Sequence, residues 1–233
     1  KDISVAYKMN YPDVKMLNCD ISDITEEVLL SSLQGEKVDI IIGGPPCQSY
    51  STLGKRKMDK RAKLFIEYKR ILKILKPQVF IFENVVGILS MDKGNLFKEI
   101  QKEFEELGYS LKYKVLNAVD YGVPQYRERV FLVGVNGENN FNYPSPTHGE
   151  NLKNYVSLKD AIGDLPILKS GQKKDFYEKN ISNGFLDFVR KDENNILTEH
   201  SAPKNGEHLV KIMETLKDGE SKEDLPEEIR PKS

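Results

Sequence analysis

The sequence predicts an α/β fold: a doubly wound sheet followed by a smaller, loop-rich region. Three observations carry that reading. Short β-branched or aromatic runs at residues 38–42, 79–82 and 130–135 read as buried strands. Between the first two and after the second, apolar residues recur at steps of three and four, the spacing of an amphipathic helix. The resulting order of strand, helix, strand, helix, strand and two late strands is that of a sheet layered with helices.

Residues 1–13 place Ile3, Ala6, Tyr7 and Met9 at helical spacing and stop at Pro12. A short strand is expected over 14–18. Asp20, Ser22 and Asp23 offer caps for a helix bearing Ile24, Val28, Leu29 and Leu33, with Gly35 ending it. After the strand at 38–42, Leu64, Phe65, Tyr68, Ile71, Leu72 and Leu75 form the face of a helix that ends before Pro77. The strand at 79–82 delivers Glu83 and Asn84. Leu96, Phe97, Ile100, Phe104 and Leu107 make a further helix closed by Gly108, and residues 109–117 alternate like a strand. Beyond about Asn136 prolines punctuate a polar stretch with little periodicity, so a boundary is placed near Ser145, dividing 1–144 from 145–233. One helix is expected there, through Leu209, Ile212, Met213 and Leu216.

At 233 residues with 39% hydrophobic content, the chain can bury one sizeable core and a smaller appended unit. Thirty-five basic residues against thirty-six acidic ones leave a net charge of -1, so affinity for a polyanion has to be local. Two cysteines, Cys19 and Cys47, are too few for a disulfide framework, and no zinc spacing is present. A reducing, cytoplasmic setting is the default expectation, with no membrane partner.

The stretch Gly43-Gly44-Pro45-Pro46-Cys47-Gln48-Ser49-Tyr50-Ser51 joins an apolar strand to a lone cysteine. Two prolines fix φ and remove donors, so a stiff segment presents the thiol at the carboxyl end of a strand, where ligands of open α/β sheets bind. A small buried hydrophobe has no need of such a frame, and the segment reads as a nucleophile loop. Glu83 ends another apolar strand, where partial burial suits it to carry a proton; the plainer alternative is a helix cap. In Gln125-Tyr126-Arg127-Glu128-Arg129, an extended chain puts Gln125, Arg127 and Arg129 on one face. Two guanidinium groups there suit phosphate oxygens, a carbonyl oxygen or the Glu83 carboxylate, unless the segment is an ordinary charged edge strand. Lys55, Arg56, Lys57, Lys60, Arg61 and Lys63 form a basic cluster directly after the loop, able to hold phosphates.

Taken together, Asp20-Ile21, the Pro-Pro-Cys-Gln loop, Asp59-x-Arg61-x-x-Leu64-Phe65, Glu83-Asn84-Val85 and Gln125-x-Arg127-x-Arg129 resemble, in order and spacing, the motifs of the cytosine-C5 DNA methyltransferases of bacterial restriction-modification type. The likeness spans Lys1 to about Gly134. Pro146-Thr147-His148 and the Ala161 to Pro166 segment also resemble that family's entry into its variable target-recognition region. The resemblance implies a Rossmann-like sheet dependent on S-adenosyl-L-methionine, with 1–144 as catalytic domain and 145–233 as part of the target-recognition region. It implies methyl transfer to C5 of a flipped-out cytosine in double-stranded DNA through a covalent bond from Cys47 to C6. Glu83 resembles the carboxyl group on the N3 edge, Arg129 the residue on the cytosine carbonyl and Arg127 its support. Gln48, Ser51 and Gln125 are implied for the substrate, and Asp20, Ile21, Pro46 and Leu64 for the cofactor. A restriction endonuclease acting on the same site is the further partner implied.

The family's glycine-rich first loop and ribose-binding carboxylate have no counterpart here. The stretch on its own is therefore expected to bind cofactor poorly and not to turn over. A tRNA cytosine methyltransferase and a non-catalytic DNA-binding relative stay open as alternatives. An unrelated cysteine hydrolase ranks last, because His148, His200 and His208 all fall in the irregular second half.

Overall fold

The computed structural model describes residues 2–46, 62–177, 181–190 and 196–231, of which 2–153 belong to one compact unit and the rest to a second. The first unit opens with α1 (Asp2–Asn10) and α2 (Glu26–Leu33), then alternates β1 (Ile40–Gly43), α3 (Ala62–Leu75), β2 (Val79–Val85) and α4 (Asn95–Glu105) before β3 (Tyr109–Asn117) and β4 (Glu128–Asn136). The sheet runs β1-β2-β4-β3, with β1 parallel to β2 and β4 antiparallel to both of its neighbours. This is a mixed α/β sheet, the predicted class.

The helix spacings read from the sequence become the core. Phe65, Tyr68 and Leu72 of α3 and Leu96, Phe97, Ile100 and Phe104 of α4 are buried against Phe80 and Phe82, alternate residues on one face of β2. Five of these rings interlock, with Phe80 and Phe104 centroids 4.6 Å apart and Tyr68 edge-on to Phe82 at 5.8 Å. The Phe80 ring lies across Gly134 on β4, where a Cβ would stand 2.1 Å from it, so the glycine makes room for the aromatic layer. The Tyr68 hydroxyl donates to the Ile81 carbonyl at 3.1 Å, tying α3 to β2.

Three local expectations fail. The run at 38–42, read as a buried strand, becomes β1 at the edge of the sheet among the described residues, paired on one side only, with Ile40 and Ile42 exposed. Residues 14–18 form no strand: Val14 and Leu17 are exposed, Val14 N–H closes a turn on Tyr11, and no described strand lies alongside to pair with the segment. The cap of α2 is Thr25 rather than Ser22 or Asp23, because Thr25 Oγ1 accepts from Val28 N–H at 3.2 Å. Asp20 instead caps a separate 3-10 turn over Ile21–Asp23.

The second unit contains α5 (Leu158–Ile162), α6 (Gly184–Val189) and α7 (Glu207–Thr215), joined by irregular chain. Ile212, Leu225 and Ile229 form its small apolar cluster with Leu216 packed on it. Elsewhere in this unit Asp164, nearly fully buried, takes two bonds from Arg190 at 3.0 and 3.3 Å, and that guanidinium lies over the Tyr177 ring. Among the described residues no helix is long and apolar enough to cross a membrane.

Candidate active site

Cys47, Gln48 and Ser51 lie outside the described residues, as does the basic cluster up to Arg61. The chain on either side of them is described. β1 ends at Gly43, paired with Phe82 of β2, and Gly44, Pro45 and Pro46 continue from it.

One residue further along β2, Glu83 leaves the sheet on the face opposite Phe82. Its Oε1 receives Arg129 Nε at 2.8 Å, and the two side chains are 32% and 21% exposed, so the pair is partly shielded from water. Arg129 is brought there by the antiparallel ladder, which places it opposite Val85, and its Nη1 also donates to the Glu128 carbonyl at 2.7 Å. The other carboxylate oxygen, Oε2, stands where a Cβ on Gly44 would be 2.7 Å away. The glycine thus lets the start of the cysteine loop lie directly against the Glu83 carboxylate.

Glu83, Arg127 and Arg129 line one cavity of about 250 Å³, closed by Leu116, Ala118, Phe131, Tyr121 and Pro144. Asn117 organises its rim, since its Oδ1 accepts from Arg127 N–H at 3.0 Å and from Val119 N–H at 3.4 Å, locking the end of β3 to the approach of β4. The Tyr121 hydroxyl donates to the Pro144 carbonyl at 3.0 Å; burial, and then the Asp120 charge, push its phenol up and keep it a neutral donor. A carboxylate and two guanidinium groups in one apolar-walled cavity suit a planar ring that carries donors and acceptors on adjacent edges. Gln125 is not part of that lining: the chain bends at 125, its side chain is exposed, and β4 begins only at Glu128. The single extended face expected for residues 125, 127 and 129 therefore does not form.

The residues singled out for a cofactor come from three separate segments of the chain. Asp20 Oδ1 accepts both the Ser22 hydroxyl at 2.6 Å and the Ser22 N–H at 2.9 Å, and these bonds hold its carboxyl below the usual carboxylate range. Ile21 is half-buried, and its carbonyl accepts from Arg70 of α3 at 3.0 Å. Leu64 is half-buried in the first turn of α3 and Pro46 is exposed. The chemistry of this set fits an adenosine: Asp20 Oδ2 takes no bond from the described residues and can accept from an exocyclic amine, while Ile21, Pro46 and Leu64 supply apolar surface.

Sequence reasoning missed the cavity walls Leu116, Ala118, Tyr121, Phe131 and Pro144, which carry no motif, and it missed what Asn84 does. Asn84 is buried at 5% exposure and donates from Nδ2 to the Pro45 carbonyl at 2.8 Å. The signal was present: two prolines in succession bring no N–H to extend the ladder, so the segment has to be held by something else.

The sequence profile of the C-5 cytosine-specific DNA methylase family matches residues 1–226. Type II methyltransferase M1.HphI of Haemophilus parahaemolyticus is 35% identical over 229 residues, 97% of this chain and 55% of its own length. Type II methyltransferase M.AquIA of Picosynechococcus is 38% identical over 183 residues, 68% of this chain and 74% of its own. M.FnuDI of Fusobacterium nucleatum is 46% identical over 170 residues, 71% of this chain and 46% of its own. The chain thus spans about half the length of M1.HphI and of M.FnuDI. A crystal structure described as a DNA modification methyltransferase encoded within an E. coli prophage superposes with a TM-score of 0.64 at 24% identity, covering 83% of this chain and 60% of that one, and shares the fold.

Proposed function

The chain belongs to the C-5 cytosine-specific DNA methylase family, and from that premise we propose that the protein methylates C5 of a cytosine flipped out of double-stranded DNA. The observation that carries the reading is the Glu83–Arg129 pair, set in an apolar-walled cavity against Gly44, three residues before Cys47. Residues 1–144 are the catalytic part in this reading and 145–233 the region that reads sequence. The protein acts in the cytoplasm of a bacterium, beside an endonuclease that cuts the same site.

Cytosine C5 is a poor nucleophile until electrons are pushed into the ring. The Cys47 thiolate adds to C6, a sulfur–carbon bond forms, and the C5–C6 π electrons become available at C5. Glu83 holds the N3 and amino edge and supports a proton at N3 as charge builds there, while Arg129 donates to the carbonyl oxygen. Arg127, on the same cavity wall, holds a neighbouring phosphate or keeps Glu83 in place, and Gln48 and Ser51 hold the extruded nucleotide. S-adenosyl-L-methionine, which Asp20, Ile21, Pro46 and Leu64 would hold, would supply an electrophilic methyl group on a sulfonium, whose sulfur would keep the S–CH3 bonding electrons and be left as a neutral thioether. Once C5 carries the methyl group, its proton leaves to a base, the C5–C6 double bond reforms and the thiolate departs. The base has to be out of the stack because C5 and C6 must be approached from both faces of the ring.

The test uses the intact protein expressed in cells lacking cytosine methylation. Bisulfite sequencing reads the methylated site, and a duplex with 5-fluorocytosine at that site is then incubated with protein and cofactor. Fluorine at C5 cannot leave as a proton does, so a denaturation-stable protein–DNA adduct is expected from the wild type and none from Cys47→Ser. An adduct persisting in Cys47→Ser assigns the nucleophile to another residue.

A further inference from the structure

We propose that Asn84 is a positioning residue that registers the nucleophile loop against Glu83, an inference that rests on the reading of Cys47 as nucleophile. Asn84 follows Glu83 on β2 and so points to the opposite face, the one that carries Phe80 and Phe82. A carboxamide there has to satisfy its polar atoms within the protein. Its Oδ1 accepts from Val85 N–H at 3.0 Å, which fixes the rotamer, and its Nδ2 is thereby aimed at the Pro45 carbonyl, 2.8 Å away.

The need for that bond follows from the sequence. The parallel ladder between β1 and β2 ends at Gly43 and Phe82, and Pro45 and Pro46 bring no N–H to prolong it. The Asn84 side chain continues the attachment where the main chain cannot. On the other face of the same strand, Gly44 rests against Glu83 Oε2 with no room for a Cβ. Two successive residues of β2 thus grip successive residues at the exit from β1, Glu83 against Gly44 and Asn84 against Pro45. Cys47 is two residues beyond Pro45, at most about 7 Å of extended chain. A slip at Pro45 is therefore passed on to the sulfur, and a displacement of about 1 Å at a reacting atom costs on the order of 100-fold in rate.

Asn84→Asp keeps the acceptor for Val85 N–H and the shape of the side chain but sets an oxygen against the Pro45 carbonyl. Asn84→Ser, too short to reach Pro45, serves where the aspartate variant does not fold. Single-turnover adduct formation with the 5-fluorocytosine duplex, DNA affinity and thermal melting are measured for both variants beside the wild type and Cys47→Ser. The expected result is a rate lowered by one to two orders of magnitude with DNA affinity unchanged and a folded protein, a split that a merely structural residue does not produce. A wild type that forms adduct beside an Asn84 variant of equal rate, or one whose rate falls only with its folded fraction, overturns this inference alone. A wild type that forms no adduct overturns the reading of Cys47 and the inference with it.

Discussion

At the scale of the residue, the proposed chemistry turns on a carboxylate and a guanidinium that two antiparallel strands bring to 2.8 Å. Half-shielded pairs of this kind contribute about 1 kcal/mol or less to stability, because water screens what the contact supplies. Their value lies in orientation: Arg129 fixes where the Glu83 oxygens sit, and Gly44 leaves one of them room. Glu83→Gln preserves the shape of the side chain and an oxygen for Arg129, so the fold should melt within a few degrees of the wild type. Single-turnover methylation should fall by roughly 10² to 10⁴, the range for a group that handles a proton in the transition state, with DNA affinity little changed. A variant that loses several kcal/mol of stability while its folded fraction still turns over would assign Glu83 to the fold instead. Gln125 shows the limit of pattern at this scale. Alternation placed it with the two arginines, but a bend at 125 starts the strand three residues later.

At the scale of the element, α3 shows why part of the fold is written in the chain. Its apolar positions at steps of three and four make one face; Leu72 is fully buried, whereas Ile66, off that face, is 45% exposed. Leu72→Ala should therefore cost about 2 to 5 kcal/mol, and Ile66→Ala about 0.5 kcal/mol or less, in urea unfolding. Equal losses would mean that α3 is not held by the face the periodicity marks. α4, β2, β3 and β4 were legible for the same reason, since each buries an alternating or 3.6-periodic set against the aromatic layer. Residues 14–18 were misread because Val14, Met16 and Leu17 offer apolar composition, but a strand also needs a neighbour whose backbone it can pair with, and composition does not reveal one. α6 went unread because six residues hold less than two turns of period; its signal is local, the Asn183 side chain accepting from Phe185 and Leu186 N–H. In the site, the Glu83 strand end and both arginines of the cavity were legible from motif order. The walls Leu116, Phe131 and Pro144 were not, because apolar residues from distant segments become a cavity only when the sheet folds them together.

At the scale of the whole molecule, protonation sets a window of pH within which the fold holds. Asp160 and Asp224 each complete a capping box, at Ser157 and Ser221, and Asp20 caps the turn after it. The Ser157 hydroxyl and then its N–H hold the Asp160 carboxyl below its ordinary value of 3.8; for Asp224 the Ser221 N–H comes first and the hydroxyl second. A carboxyl whose folded value is depressed adds stability that is complete above the unfolded value and is lost as pH falls through the folded one. Tyrosines act at the other end. Burial raises the Tyr68 phenol well above its ordinary value of 10 and pushes Tyr143 up to about 12. Each favours folding while both states are protonated, and that contribution is lost as pH rises from 10 through the folded value. Melting temperature is therefore expected to be flat from about pH 5 to pH 9 and to fall on both sides. The two capping-box carboxyls lie in the unit from Asn154 to Ser233, whereas Asp20 and both tyrosines lie in that from Lys1 to Lys153. Asp160→Asn should flatten the acid limb and leave the alkaline one, and Tyr143→Phe the reverse. Melting curves of both variants across the range decide it: if both substitutions shift both limbs together, the pH window arises from the overall charge of the chain and not from these groups.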